Sequence, residues 1–306
     1  MSFNKIYVFT DFDIDGVASL LTLHWALGAK PGQIAFKTTT VTNFRREFLS
    51  WLDQNNINDF DKVYILDLDV AKHADLVDRK NITIIDHHLT HVNAKDVYKN
   101  AEVSVTETTS CAKKVYNHFK LLGKLDKLTQ QQKYFIALAD DYDCYQFKLP
   151  ETYELNCLYT NTQKTSTKQR AEIFLEKYYS GFKPFNAQEK AIIKEFVDRK
   201  NKAIANLQIF AGKVSVAGKE RVVYGTHGNK FVNEICDHML NTHPADIVFF
   251  VNSDNSHVSF RKNKKCEVDL SKLAAKLCDG GGHEYAAGGK VTESFMNFTK
   301  LLTPIA

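Results

Sequence analysis

One pattern occurs three times in the first ninety residues: an apolar run of strand length closed by acids. Ile6-Tyr7-Val8-Phe9-Thr10 runs into Asp11-Phe12-Asp13-Ile14-Asp15-Gly16. Val63-Tyr64-Ile65-Leu66 runs into Asp67-Leu68-Asp69, and Ile82-Thr83-Ile84-Ile85 into Asp86-His87-His88. Continuous rather than alternating apolarity, rich in β-branched residues, marks strands buried on both faces. Between these runs the spacing turns helical. Residues 16–27 are apolar almost throughout, as in a buried helix, and stop at Gly28. Residues 33–42 read as a further strand, 44–54 as a helix and 71–80 as a short helix. This β–α alternation predicts a parallel sheet with helices on both faces.

Farther along, a helix is predicted from Ser110-Cys111-Ala112, with Thr109 or Ser110 as its cap. Another, 129–139, ends in Asp140-Asp141-Tyr142-Asp143. Residues 153–160, 168–180 and 187–205 are helical in pattern, the last set off by the breaker Gly181-Phe182-Lys183-Pro184. The rhythm then changes to short strands (213–216, 221–224, 246–251, 257–261) and two helices (231–240, 269–278), the second capped by Asp269. The expected organisation is α/β: a parallel-sheet domain over 1–185, a helical connector over 186–208 and a smaller α/β domain over 209–306. No internal repeat is present.

A chain of 306 residues, 44% hydrophobic, is large enough for two cores. It has no apolar run approaching the ~18 residues of a membrane span. Its first residues enter a strand directly, without the apolar stretch of a signal peptide. The six cysteines are scattered with no C-x-x-C pair, which argues against a zinc knuckle and for reduced thiols in a cytoplasm. The net charge of +4 permits a nucleic-acid substrate without demanding one.

The chemistry gathers at the strand ends. In open α/β sheets ligands bind beyond the carboxyl ends of the strands. Two histidines and a carboxylate at one such end, with acids at two others, suggest a metal cage. Its donors are mostly carboxylates, which suit Mn²⁺ or Mg²⁺ better than zinc. A helix cap would account for one aspartate near Gly16 but not for three at alternate positions. A second group lies far downstream. Gly280-Gly281-Gly282-His283 is followed by Ala286-Ala287-Gly288-Gly289, and the alternating strand His257-Val258-Ser259-Phe260-Arg261 precedes both. Glycines let a phosphate or base approach backbone amides closely. Lys262, Lys264 and Lys265 read as a solvated turn.

Together these motifs resemble the DHH phosphoesterase superfamily. Asp11-Phe12-Asp13-Ile14-Asp15-Gly16 resembles its RecJ-like exonuclease branch, and the Gly-Gly-Gly-His segment resembles the DHH-associated C-terminal domain of oligoribonuclease-like members. The resemblance spans residues 6–289 and implies a DHH catalytic domain, a substrate-binding domain and a cleft between them. It also implies two ions, Mn²⁺ or Mg²⁺, that clamp an in-line phosphoryl displacement. Asp13 and Asp67 would hold one ion, with Asp11 completing it. Asp15, Asp67, His87 and Asp141 would hold the other, Asp140 being the alternative to Asp141. Several branches carry histidine where this chain has Asp11, whereas RecJ-like members carry aspartate.

His88 would contact the scissile phosphate or assist proton transfer, and Asp86 would orient a histidine. Arg261, Gly281, Gly282 and His283 would grip the substrate. The implied activity is metal-dependent hydrolysis of short or single-stranded oligonucleotides to mononucleotides. The alternatives are a cyclic dinucleotide or 3′-phosphoadenosine nucleotide hydrolase and, from another class, a non-catalytic nucleic-acid-binding module.

Overall fold

The computed structural model describes residues 5–106, 109–162, 166–282 and 284–305. The chain divides into two bodies, residues 1–193 and 194–306. The first is built on five strands, β1 (Ile6–Asp11), β2 (Ala35–Thr39), β3 (Lys62–Leu66), β4 (Ile82–Asp86) and β5 (Glu102–Val105). They form one sheet in the order β2-β1-β3-β4-β5, every pair parallel. The expected parallel α/β sheet is therefore present, with β5 as a fifth strand beyond those read from the sequence. All five residues of β4 are buried, which is why its sequence shows no alternation.

Helix α1 (Ile14–Leu27) is buried from Ile14 through Ala26, as a helix apolar all round must be. It packs against α5 (Cys111–Leu121), α6 (Gln130–Asp143) and α8 (Thr167–Tyr178). Trp25 of α1 donates its indole N–H to the Tyr179 carbonyl at 2.7 Å. On another flank lies α2 (Val41–Gln54), whose buried Phe44, Phe48 and Trp51 share one helical stripe. They join Tyr7, Phe9 and Phe60 in an aromatic layer; Phe9 and Trp51 meet edge to face at 5.6 Å. The short helices α3 (Ala74–Val77) and α4 (Leu89–Ala94) and the helix α7 (Thr152–Asn161) complete this body.

Three boundaries differ from the sequence pattern for local reasons. The strand expected over 33–42 is shorter because Thr40 caps α2, its hydroxyl accepting from the Asn43 amide. The helix expected over 71–80 is a 3₁₀ turn followed by the single turn of α3. The third difference is functional: α6 does not stop at 139 but continues through Asp143, so its acids are helical.

Helix α9 (Ala187–Ala205) carries the chain across the division between the bodies. The second body holds β6 (Phe210–Val216), β7 (Lys219–Gly228), β8 (Ile247–Asn252), β9 (His257–Lys262), β10 (Gly281–Gly282), β11 (Ala286–Lys290) and β12 (Thr303–Pro304). Their order is β10-β11-β9-β8-β7-β6-β12, antiparallel except for the parallel pair β7–β8. Successive residues of β8 serve different cores. Ile247 and Phe249 join the cluster containing residues of α11 (Leu270–Cys278) and α12 (Glu293–Thr299), whereas Val248 and Phe250 join that of α10 (Val232–Thr242). Among the described residues no helix is long and apolar enough to cross a membrane.

Candidate active site

Strand order 2-1-3-4-5 reverses between β1 and β3, and ligands of such sheets bind at that switch point. The motif acids lie at the carboxyl ends of the strands that flank it. The β1–α1 turn is tight: a Cβ on Gly16 would lie 2.4 Å from the Asp11 carbonyl oxygen, and the Thr10 hydroxyl donates to the Gly16 carbonyl at 2.8 Å. Asp13 is the N-cap of α1, accepting from the Gly16 amide at 2.9 Å. Asp15, 1% exposed, accepts from the Cys111 and Ala112 amides at 2.7 and 2.9 Å, so the start of α5 aims its carboxylate. Asp67 follows β3 in the left-handed region, φ 58°, a conformation aspartate tolerates better than most residues. Its amide donates to the Ile85 carbonyl at 3.0 Å, tying the third motif to the second.

His87 sits among these acids. Its Nε2 is 3.2 Å from Asp67 Oδ1 and 3.7 Å from Asp15 Oδ2, and its Nδ1 is 3.6 Å from Asp143 Oδ2. Two donor groups result, Asp15/His87/Asp143 and Asp67/Asp86/His87/His88, with ligand atoms inside each within 4.8 Å of one another. Carboxylates with imidazole form a hard set suited to a divalent cation. Their crowding shows in their acidities. Burial, followed by the charge of Asp13, raises both Asp11 and Asp143 to about 7. Burial also lifts Asp15 and Asp67 above the carboxylate range, with neighbouring acids adding to the effect. A cation would remove this penalty.

Behind the cluster stands a histidine relay. Asp86 Oδ1 holds His88 Nδ1 at 2.8 Å, and Oδ2 holds His91 Nδ1 at 2.7 Å. His91 Nε2 in turn meets the Tyr98 hydroxyl at 2.8 Å. Burial of Asp86 opposes its ionisation, yet the hydrogen bonds from His88 and His91 outweigh it and hold Asp86 well below the usual carboxylate range. Burial likewise opposes charge on His88, but Asp86 overrides it and raises His88 to about 9. His91 is fully buried within this relay.

The structure thus brings Asp15, Asp67, Asp86, His87 and His88 together, and places Asp13 and Asp11 beside them through their effects on neighbouring acids. It adds Asp143, which the sequence reading passed over. Asp141 is not part of the set. Its carboxylate accepts from the Lys148 and Leu149 amides at 3.0 Å each and from the Thr152 hydroxyl at 2.5 Å. Burial resists its ionisation, but these donors win and hold its pKa below the ordinary carboxylate value. Asp140 accepts from the Ser110 amide at 2.9 Å. The cause is helical phase: residues two apart on α6 point about 200° apart, so Asp141 and Asp143 cannot share a face.

In the second body, Arg261 on β9 donates to Asn233 Oδ1 at 2.6 Å and to the Phe260 carbonyl at 2.8 Å. Gly282 pairs with Ala287 in a ladder where a Cβ would lie 2.6 Å from the Ala286 carbonyl oxygen. A Cβ on Gly280 would lie 2.0 Å from the Gly288 carbonyl oxygen, whereas one on Gly281 would meet open space. Strand packing therefore requires glycine at 280 and 282, and only 281 of the three faces outward unobstructed. His283 lies outside the described residues. Lys262 is not the solvated residue expected: its side chain is fully buried, pairs with Glu284 at 2.6 Å and lies over the Tyr285 ring at 4.2 Å. Lys264 and Lys265 are exposed.

Residues 5–140 match the DHH family, N-terminal domain, and residues 219–305 match the DHHA1 domain. No curated protein matches the sequence significantly. Among solved structures, a DHH-domain member of the s1p family of ribosomal proteins aligns with a TM-score of 0.61 at 14% identity, covering 97% of this chain and 86% of that one. The pGpG-specific phosphodiesterase PggH from Vibrio cholerae aligns with a TM-score of 0.57 at 14% identity, covering 96% and 95%. RecJ from Thermus thermophilus in complex with Mn²⁺ gives 0.56 at 14% identity, covering 97% of this chain but 51% of RecJ. With both domain matches on the chain and the motif acids gathered at one sheet edge, this protein belongs to the DHH family of phosphoesterases.

Proposed function

We propose that the chain is a metal-dependent phosphodiesterase that degrades short or single-stranded oligonucleotides to mononucleotides. One observation carries the reading: Asp15, Asp67, Asp143 and His87 converge at the β1/β3 switch point in front of a histidine held by Asp86. In this proposal Asp13, Asp15, Asp67, His87 and Asp143 would hold two divalent ions, Mn²⁺ or Mg²⁺. Asp67 would be the central carboxylate of the set and Asp11 would complete it. Such ions, when bound, supply Lewis-acid stabilisation of the charge that builds on the phosphate.

The chain's own residues supply the rest. Asp86 keeps His88 protonated and fixed in orientation, so His88 donates a hydrogen bond or proton to a phosphate oxygen. The α5 amides hold Asp15 against rotation, and the Asp67 backbone is tied to β4. Arg261 and Gly281, where the space a side chain would fill is open, take the substrate's flanking phosphate or nucleotide together with His283. The extent of the structural matches supports a short substrate. PggH, named for the two-nucleotide pGpG, is matched over 95% of its length, whereas only 51% of the larger RecJ is matched. The six cysteines are free thiols, which fits action in a reducing cytoplasm.

The deciding assay incubates the protein with 5′-labelled RNA and DNA oligomers of graded length, with Mn²⁺, with Mg²⁺ and with excess EDTA. Release of mononucleotides only with metal is the expected result. Full turnover in EDTA would refute metal dependence, and tight binding of oligomers without turnover would favour a non-catalytic binding module.

A further inference from the structure

Immediately after Asp143 the chain makes a short excursion, residues 144–149, before α7. Two residues in it adopt the left-handed conformation, Tyr145 at φ 53° and Phe147 at φ 50°. Aromatic residues occupy this region at a steric penalty, and glycine or asparagine is the usual occupant. Core burial does not explain the choice, because Tyr145 is 48% and Phe147 40% exposed. Nor is the excursion loose. The Tyr145 amide donates to the Tyr142 carbonyl and the Gln146 amide to the Asp141 carbonyl, both at 2.9 Å. The Asp141 carboxylate grips the far end through Lys148, Leu149 and Thr152.

Phe147 sits edge to face against Tyr145 at 4.6 Å and 79°, and against Tyr142 at 5.7 Å and 89°. Tyr153 closes the group at 6.4 Å from Phe147. Strain that surrounding hydrogen bonds enforce, on exposed rings two and four residues from a proposed ligand, is strain with a use. A polar turn would have closed α6 onto α7 without it.

We infer that Tyr145, buttressed by Phe147, is a platform on which a nucleobase of the substrate stacks beside the reacting phosphate. This rests on the phosphodiesterase reading above. A phenol ring held at both ends of its loop loses little freedom on binding. It also accepts any base, because every base offers a π-face. Asp141 acquires its purpose here: it fastens the loop that carries the ring, while Asp143 one helical face away serves the ions.

The test uses the full chain with saturating Mn²⁺ and three substrates: a 5′-phosphorylated dinucleotide and its two analogues lacking one or the other base. Wild type should lose about 5- to 100-fold in kcat/KM on one of the abasic analogues, the range of one stacked base. Tyr145→Asn suits the left-handed backbone, so its Tm should equal or exceed that of wild type. It should lose a similar factor on the intact dinucleotide and nothing further on the abasic one, and Tyr145→Phe should keep the preference. Equal losses on intact and abasic substrates, or a wild type indifferent to the missing base, would overturn the platform while leaving the phosphodiesterase reading standing. A wild type that cleaves none of the three would end both.

Discussion

Exchanging one carboxylate for an amide at each of two neighbouring positions separates the tasks of α6. Asp141→Asn leaves an amide NH₂ facing donors that now meet a carboxylate, so about two of its three hydrogen bonds are lost or weakened. Hydrogen bonds to a charged group contribute roughly 1.5–3 kcal/mol each. The expected destabilisation is about 2–4 kcal/mol, or roughly 5–12 °C in Tm for a body of this size. Activity per folded molecule should fall only as far as the aromatic loop is disturbed. Asp143→Asn does the reverse. It removes a charge whose ionisation its buried position and Asp13 oppose, so metal-free stability at neutral pH should hold or rise.

A carboxylate and a divalent ion about 4 Å apart attract by roughly 8 kcal/mol at an effective dielectric of about 20, most of it offset by dehydration. A residue of ~3 kcal/mol corresponds to a loss of about 100-fold in Mn²⁺ affinity. Calorimetric titration with Mn²⁺, thermal melts with and without metal, and kcat on a dinucleotide read both variants. If Asp141→Asn abolishes metal binding at an unchanged Tm while Asp143→Asn binds normally, the assignment of Asp143 rather than Asp141 to the ions is wrong.

Stability of the metal-free protein should fall as pH rises from about 4 to about 7. Asp11 and Asp143 hold their protons more tightly folded than unfolded, so the folded state takes up protons in that window and loses that advantage as they ionise. Saturating Mn²⁺ should abolish the fall, whereas Asp86 acts below this window and His88 above it; melts across pH with EDTA or Mn²⁺ check this. Gly16→Ala should destabilise by about 1–3 kcal/mol and weaken Mn²⁺ binding, since the added methyl forces Asp11 and α1 apart; a Tm near that of wild type would contradict the tight turn. Arg261→Ala should raise KM for a short oligonucleotide about 10- to 100-fold, the effect of one or two charge-assisted hydrogen bonds, and spare bis-p-nitrophenyl phosphate. Equal losses on both substrates would place Arg261 in folding or chemistry instead.

The parts legible in the sequence are those set by burial. β1, β3 and β4 are enclosed by neighbours, so continuous apolar runs announced them, and the acids that terminate those runs announced the site. What stayed hidden depends on phase and on distant partners. Asp140-Asp141-Tyr142-Asp143 reads as a turn if α6 stops at 139; only its last helical turn decides that Asp143 rather than Asp141 meets His87. His91 gains meaning from Tyr98, seven residues on, and from Asp86 behind it. Lys262 is buried because Glu284 and Tyr285, more than twenty residues later, enclose it. The glycines at 280 and 282 look like a cradle, yet backbone atoms of the adjoining strand forbid any side chain there.

The aromatic layer on α2 and the indole of α1 also divide the molecule optically. The chain's two tryptophans, Trp25 and Trp51, both lie in the N-terminal body, and both are buried. Emission excited selectively from tryptophan is therefore a private channel to the body that carries the acidic cluster, and the DHHA1 body is dark in it. Far-ultraviolet dichroism sums over both. Where the two signals part during denaturation, the gap between them is the spectrum of one body standing after the other has melted.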